Sequence, residues 1–340
     1  MHRAIQLALQ GAGSVAPNPM VGAVLVNNDQ IIGEGYHEEF GGPHAEVNCI
    51  NSVKDEHKAL VSSSTLYVTL EPCSHHGKTP PCSDLIIDHK IPKIILGCRD
   101  PFIEVNGRGV QKLLESGVEV VEHILERECF EMNRRFFIFH TRKRPYILLK
   151  WAKSENGMIA GLNGKRVAIS NEYSKRLVHK WRSEESSILV GANTVLADDP
   201  LLTTRAWSGR SPIRLVLDPS LKLPRTAHIF DQEIKTIVFN HTVESYSENL
   251  DFLKVVKDRI IPSLLDHLYN LNIQSVMVEG GALLLQSFID AGLWDEARVI
   301  TNEQLVIGKG VQGPGLINAL FIKQELYMND KISYYKNSTY

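Results

Sequence analysis

Three short segments in the first hundred residues carry side chains that could do chemistry together: His44-Ala45-Glu46, Glu71-Pro72-Cys73 and Pro81-Cys82. Thiolate and imidazole are the ligands zinc favours, and a catalytic zinc takes three protein ligands and keeps its fourth position for water. His44, Cys73 and Cys82 supply that set. The charge of the ion makes a bound water acidic enough to give hydroxide near neutral pH. Both cysteines fall at or near expected helix N-termini, where the dipole favours a thiolate. Glu46 lies two residues after His44, too close to be a second ligand on the same helix face but able to point beside the metal. A carboxylate there can take a proton from water and return it to a departing amine.

A His-x-Glu followed by Pro-Cys, with the glutamate outside the ligand set, is the pattern of zinc deaminases. Other readings compete with it. A lone histidine on a helix is usually structural, and a free cysteine is often a small buried hydrophobe. A purely structural zinc would want a fourth ligand, for which His75 and His76 are the candidates. The joint arrival of three ligands in strand–loop–helix contexts favours the catalytic reading. Cys49, Cys98 and Cys129 sit in helix or strand patterns and are expected in the core.

The elements that must position these residues are legible from periodicity. His2 to Gln10 has helical spacing, Val21–Val26 and Ile31–Tyr36 read as strands, and Asn27-Asn28-Asp29 reads as the hairpin turn between them. A helix from about His44 to Val53 follows, then a strand Thr65–Leu70 and a short helix from about Pro81. A strand Lys93–Gly97, a helix near Gly107–Ser116 and a strand Val118–Glu122 complete the half. Such alternation predicts a sheet covered by helices.

The run Thr141-Arg142-Lys143-Arg144-Pro145 has consecutive charges ending in proline and reads as a linker. A solvated turn within one larger domain is the alternative. The pattern then restarts with strands at Tyr146–Trp151, Ile188–Val190, Ile213–Leu217, Thr236–Phe239 and Ser275–Val278. Helices are expected at Glu172–Arg182, Pro262–Leu271 and Ala282–Ala291. The halves show no mutual repeat, so two different α/β domains are expected, residues 1–143 and 144–340.

Bulk properties set the outer bounds. The 340 residues are 43% hydrophobic and 22% charged, with a formal net charge of -2. That is the profile of a soluble globular protein of about two domains. Near-neutral charge argues against a protein that holds nucleic acid by its overall field. No apolar run approaches the roughly 18–20 residues of a membrane-spanning helix. Five scattered cysteines and no secretory pattern make the cytoplasm the expected compartment.

With these residues in view, the chain resembles the bifunctional riboflavin-biosynthesis deaminase/reductase family over nearly its whole length. The resemblance rests on PNPMVG (Pro17–Gly22), GEGYH (Gly33–His37), GPHAEVN (Gly42–Asn48) and VTLEPCSHHGKTPPC (Val68–Cys82). Eight residues separate Cys73 from Cys82, where many deaminases have two, and they include the SHHGKTP segment typical of the family. The resemblance implies a cytidine-deaminase-like α/β/α sandwich followed by a dihydrofolate-reductase-like α/β domain. It also implies hydrolytic deamination of a pyrimidinone carrying a phosphoribosylamino arm, with Zn2+ as cofactor. Asn18 and Lys78 are then substrate contacts, with His37 and Thr79 as weaker candidates. An amide can read a pyrimidine edge and an ammonium can meet a phosphate.

For the second half, the resemblance rests on SILVGANTVLADDPLLTTR (Ser187–Arg205) and on Val276–Gly281, which leads into a helix. A strand, two glycines and a helix N-terminus make a site for phosphate, although the same pair can be only a tight turn. The family's second reaction reduces the ribosyl group to ribityl with NADPH. By motif position, Lys153, Ala168, Thr194 and Asp198 would contact the cofactor, with Gly281, Ala282, Leu283, Leu284, Leu285, Gln286 and Ser287. Asp198 has an alternative as a local backbone cap. Arg166, Arg182, Leu202, Arg205 and Glu279 would contact substrate.

The chain departs from the family at Ser154-Glu155-Asn156-Gly157, at Lys153 where a small residue is usual, and at Ala168 where a Trp is common. A deaminase whose second half binds ligand without reducing it is therefore the alternative. Deamination of free or polymeric nucleobases and a zinc-stabilised regulatory protein are further readings. Partners implied are a small phosphorylated pyrimidine and a second copy of the chain, as dimer or tetramer, with no nucleic acid and no membrane.

Overall fold

The computed structural model describes residues 1–74, 80–102 and 106–339. The chain divides into two compact units, Met1–Lys143 and Arg144–Tyr340.

The first unit runs α1 (His2–Ala8), β1 (Gly22–Asn27), β2 (Gln30–Tyr36), α2 (Ala45–Asn51), β3 (Thr65–Leu70), α3 (Cys82–Asp88), β4 (Lys93–Cys98), α4 (Arg108–Glu115), β5 (Glu119–Val121), α5 (Glu126–Met132) and α6 (Arg134–Arg142). Its sheet has the order β2-β1-β3-β4-β5. The β1–β2 hairpin turns through Asn28 and Asp29, both with positive φ, which is the geometry a two-residue turn asks of Asn and Asp. β1 is antiparallel to β2 and β3, whereas β3, β4 and β5 are parallel. Leu25, Leu66 and Ile94 pack under Ala45 and Cys49 of α2, Ile86 of α3 and Leu113 of α4. On the other face Ala4 and Leu7 of α1 meet Val24, and Cys129, Phe136 and Phe137 of α5 and α6 meet Leu70 and Cys98. The sheet therefore lies between two helical layers. Each such buried aliphatic side chain contributes about 1.5–3 kcal/mol.

The second unit contains β6 (Tyr146–Ser154), β7 (Met158–Gly161), α7 (Glu172–Glu184), β8 (Ser187–Gly191), α8 (Ala192–Asp198), β9 (Ile213–Leu217), β10 (Thr236–Asn240), β11 (Leu250–Lys254), α9 (Ile260–Asn270), β12 (Ser275–Glu279), α10 (Ala282–Asp290), β13 (Glu296–Asn302), β14 (Gly310–Gln312), β15 (Ala319–Tyr327) and β16 (Asp330–Asn337). A nine-stranded sheet has the order β11-β10-β9-β8-β12-β6-β13-β16-β15, and β7 pairs β14 in a separate ribbon. All neighbours from β11 to β13 are parallel, and β16 and β15 close the sheet antiparallel. Ile147, Leu148 and Leu149 of β6 are all fully buried, as expected of a parallel strand covered on both faces.

The helices α5 and α8 and the strands β7 and β11 add to the expected elements, and two further regions differ for a physical reason. The stretch expected to be linker begins inside α6, where the Thr141 hydroxyl donates to the Phe137 carbonyl. Arg144 is buried, and its guanidinium forks onto Asp295 at 2.6 and 2.8 Å. A charge run looked solvated because its partner lies 151 residues away. The C-terminal strands were also illegible, since β13 carries Glu296 and Arg298 at buried positions. They tolerate burial because the Arg298 Nε donates to Glu296 at 2.6 Å, and the Tyr146 hydroxyl donates to the same carboxylate at 2.7 Å.

Candidate active sites

In the first unit the metal candidates come from three different elements. His44 is the N-cap of α2, in extended backbone, Cys82 opens α3 after the cap Pro81, and Cys73 lies in the loop after β3. The His44 Nδ1 is 3.3 Å from the Cys82 Sγ and 3.6 Å from the Cys73 Sγ. The three ligand atoms all fall within 4.8 Å of one another. A tetrahedral ion with Zn–S and Zn–N bonds of about 2.3 and 2.0 Å needs S···N edges of about 3.5 Å. The donor set and its spacing therefore fit zinc. The Cys82 backbone N–H also donates to the Cys73 Sγ at 3.3 Å, which favours a thiolate there. The Cys73 thiol is held down to about 4, first by the hydrogen bond from Cys82 and then by His44, against its burial. Cys82 is pushed up, first by its bond to Cys73 and then by burial.

Glu46, on the first turn of α2, is 3% exposed. Burial first, and then the charge of Cys73, raises its carboxyl above the ordinary range. A raised carboxyl beside a ligand triangle suits a group that must both take and give a proton. Asn18 and His37 join the same site. The His37 Nδ1 faces the Pro43 carbonyl at 2.9 Å, its Nε2 faces the Asn18 amide nitrogen at 3.1 Å, and its ring meets that of His44 edge-on. Lys78, Thr79, His75 and His76 lie outside the described residues. Sequence reasoning missed Asp100, a buried carboxyl raised to about 7 by burial, with the Glu71 and Cys73 charges adding to it. It lies in the loop after β4, and only the fold brings that loop beside Cys73. Cys49, Cys98 and Cys129 are buried in the core, and Cys49 is pushed up by burial to about 12.

In the second unit a cavity of about 550 Å³ opens at the carboxyl ends of the parallel strands, where ligands of open α/β sheets bind. Of the expected residues, Arg166, Ala168, Thr194, Asp198, Arg182, Leu202, Arg205, Glu279 and Gly281 line it. Lys153, on β6 opposite Thr301, does not. The run beyond Gly281 divides by helical period. Leu284 and Leu285 enter the core, Leu283 is 78% exposed, Gln286 binds the Gly315 backbone, and the Ser287 hydroxyl donates to the Leu283 carbonyl. Ala282 begins α10 with Gly281 as its N-cap.

The Thr194 hydroxyl oxygen accepts the Gly281 N–H at 3.0 Å, so α8 holds the glycine turn in place. At the cavity floor Glu279 receives Arg182 at 3.0 and 3.1 Å and Lys150 at 3.6 Å. Burial pushes the Glu279 carboxyl up, yet the Arg182 and Lys150 charges bring it down to about 2. Lys150 itself is lowered, because burial outweighs the Glu279 charge. The two partners thus shift unequally, and the shorter Arg182 contact marks the stronger pair. Lys150 was not foreseen, since a lysine inside an apolar strand run carries no motif. Leu202 is buried at φ +56, a conformation uncommon for a residue other than glycine. Among the described residues no helix is long and apolar enough to cross a membrane.

Comparison with known proteins matches a family to each unit. Residues 1–98 match the cytidine and deoxycytidylate deaminase zinc-binding region, and residues 145–329 match the RibD C-terminal domain. The riboflavin biosynthesis protein RibD of Actinobacillus pleuropneumoniae is 39% identical over 325 residues, covering 92% of this chain and 85% of that protein. Its counterpart from Aquifex aeolicus is also 39% identical, covering 92% and 88%. The structure of a diaminohydroxyphosphoribosylaminopyrimidine deaminase/5-amino-6-(5-phosphoribosylamino)uracil reductase from Thermotoga maritima superposes with a TM-score of 0.90 at 37% identity, covering 99% and 97% of the two chains. Acinetobacter baumannii RibD gives a TM-score of 0.89 at 30% identity, covering 98% and 97%. The chain belongs to the RibD family of riboflavin biosynthesis, with a zinc-binding deaminase domain and a reductase domain of the NADPH-dependent RibD type joined in one polypeptide.

Proposed function

We propose that residues 1–143 deaminate a pyrimidinone carrying a phosphoribosylamino arm, and that residues 144–340 then reduce its ribosyl group to ribityl. The observation that carries this reading is the ligand triangle of His44, Cys73 and Cys82 beside the buried Glu46. It stands in one chain with a cavity edged by arginines and a glycine turn. Zinc held by those three residues would supply the Lewis acid that makes water nucleophilic at neutral pH. Glu46 takes the proton from the attacking water and hands it to the departing nitrogen. Asn18, oriented by His37, reads the pyrimidine edge.

In the second unit, NADPH would supply the hydride that reaches the sugar C1. The Thr194 hydroxyl hydrogen, left free because its oxygen accepts the Gly281 N–H, and the backbone N–H groups that follow Gly281 at the start of α10 hold its phosphates, beside Ala168 and Asp198. Arg182, Arg205 and Arg166 meet the anionic substrate, Leu202 packs on it, and Glu279 fixes the Arg182 fork. Lys150, paired to Glu279 and lowered by burial, is placed to give the proton that the opened sugar oxygen takes up.

A second copy of the chain is the partner proposed. β15 is the edge of the nine-stranded sheet, and its Phe321 and Leu326 are 51% and 65% exposed, with Leu320 and Ile322 beside them. An exposed apolar edge strand is a template for pairing. The small net charge favours a small-molecule substrate over nucleic acid, and a cytoplasmic setting suits five free thiols.

Incubation with the diaminopyrimidinone phosphate and zinc, with and without NADPH, followed by mass analysis, tests both halves. Exchange of an amino group for oxygen is expected without NADPH, and a further gain of two hydrogens with it. Turnover of cytidine or single-stranded nucleic acid, with none of the pyrimidinone phosphate, would overturn the reading.

A further inference from the structure

Glu71 lies two residues before the metal candidate Cys73 and is 4% exposed. Among the described residues, no charged side chain faces it at hydrogen-bond distance. Its partners are four backbone N–H groups from a distant stretch of chain. Oε1 accepts from Gly109 at 2.9 Å and Val110 at 3.2 Å, and Oε2 accepts from Gly107 at 3.0 Å and Asp100 at 3.2 Å. Gly107, Gly109 and Val110 form the cap and first turn of α4, which has no capping side chain of its own. These are donors that a helix leaves without partners. Glu71 satisfies them from outside, while its own N–H donates to the Cys98 carbonyl at the end of β4. One side chain thus ties the ends of β3 and β4 to the start of α4.

The fit around this tie is tight. A Cβ built on Gly109 would lie 2.1 Å from the Pro72 carbonyl oxygen and 3.2 Å from the Glu71 Oε1. The first turn of α4 therefore lies directly against the Glu71-Pro72-Cys73 turn. Cys73 has no regular element of its own to hold it. The loop that carries it is fixed on its chain-proximal side by Glu71, and its sulfur receives the Cys82 N–H.

We propose that Glu71 is a positioning residue for the metal site: it fixes the Cys73 turn against α4 and so sets the zinc affinity. The proposal rests on Cys73 being a zinc ligand, as in the function proposed above. Groups outside the ligand set that orient ligands typically govern zinc affinity by about 10–100-fold. Here the orientation passes through the backbone rather than through a hydrogen bond to the ligand atom. Glu71→Gln keeps the shape but turns one amide NH2 toward two N–H donors, so half the tie is lost. Glu71→Ala loses all of it.

The test measures zinc affinity of the full chain by chelator competition, together with the melting temperature of the metal-free protein. Leu7→Ala, in the core on the opposite face of the sheet, serves as a control for general destabilisation, and Cys73→Ser as a reference for loss of a ligand. The expected order of affinity is wild type and Leu7→Ala, then Glu71→Gln about tenfold weaker, then Glu71→Ala about 100-fold weaker. If Glu71→Ala does not fold, Glu71→Gln alone decides. Wild-type affinity in Glu71→Gln would overturn the proposal, as would an equal loss in Leu7→Ala at equal melting temperature. Wild-type affinity in Cys73→Ser would instead overturn the ligand reading on which it stands.

Discussion

The His37 ring fixes which way the Asn18 amide points. Its Nδ1 sits 2.9 Å from the Pro43 carbonyl, which can only accept, so Nδ1 carries the proton. Burial lowers the His37 pKa, which keeps the ring neutral and leaves Nε2 as an acceptor. Nε2 therefore receives the Asn18 NH2 at 3.1 Å, and the Asn18 Oδ1 is turned to accept from a substrate. An aspartate at this position has no N–H to offer. Asn18→Asp is expected to lower kcat/KM for deamination by about 10–100-fold, the worth of a hydrogen bond in a partly buried site, with zinc content unchanged. Steady-state kinetics with metal analysis checks it, and an unaltered kcat/KM would remove Asn18 from the substrate site.

Glu46 permits a sharper separation of binding from chemistry. It is no member of the ligand triangle, so Glu46→Gln should retain zinc and fold. Removing the proton carrier should cost about 100–10,000-fold in deamination. Reduction of independently supplied deaminated substrate should persist at the wild-type rate. Product analysis by mass, with each substrate given separately, reads both activities. Deamination at the wild-type rate would refute the role given to Glu46.

The ligand triangle was legible because zinc chemistry restricts residue types and because His44 and Cys82 sit at helix starts that the sequence marks. Asn18 and His37 came from motif resemblance, and only the hydrogen-bond pattern shows that the His37 ring orients the Asn18 amide. Glu71 and Asp100 escaped notice because their partners are backbone groups and loops that no spacing rule connects. In the second unit, Lys150 hid inside an apolar strand run, and β13 hid because its buried Glu296 and Arg298 break the expected alternation. For Glu71, Lys150, Glu296 and Arg298 a tertiary partner offsets part of the cost of burying a charge that sequence reasoning assigns to the surface, whereas burial pushes the Asp100 carboxyl up to about 7.

Gly280 adopts φ +124, and a Cβ there would lie 2.7 Å from the Thr194 Oγ1, the atom that receives the Gly281 N–H. Gly280→Ala both strains the backbone and displaces Thr194. The KM for NADPH is expected to rise about tenfold or more, since the lost tie and the strain are each worth about 1 kcal/mol. Thr194→Val should do the same more weakly, because it removes the acceptor without the strain. Deamination should be unaffected in both. NADPH titration by fluorescence checks the binding, and unaltered affinity in Gly280→Ala would show that the turn does not hold the cofactor.

The Glu279 cluster makes an acid-dependent contribution to the second unit with a definite sign. Its folded pKa, about 2, lies below the ordinary 4.5 despite burial, because Arg182 and Lys150 favour the charged form. The stability it contributes is fully present above about pH 4.5 and is lost as pH falls from there toward 2. A depression of this size corresponds to on the order of 3 kcal/mol. The melting temperature of the second unit should therefore fall steeply across that window. Glu279→Gln should melt lower at neutral pH, because Arg182 and Lys150 lose their counter-charge, and its melting temperature should depend less on pH between 4.5 and 2. Calorimetry across that range distinguishes the two curves. Parallel curves for wild type and variant would mean that the cluster does not control acid stability, and that the Arg182 fork is held by the Thr203 carbonyl it also contacts.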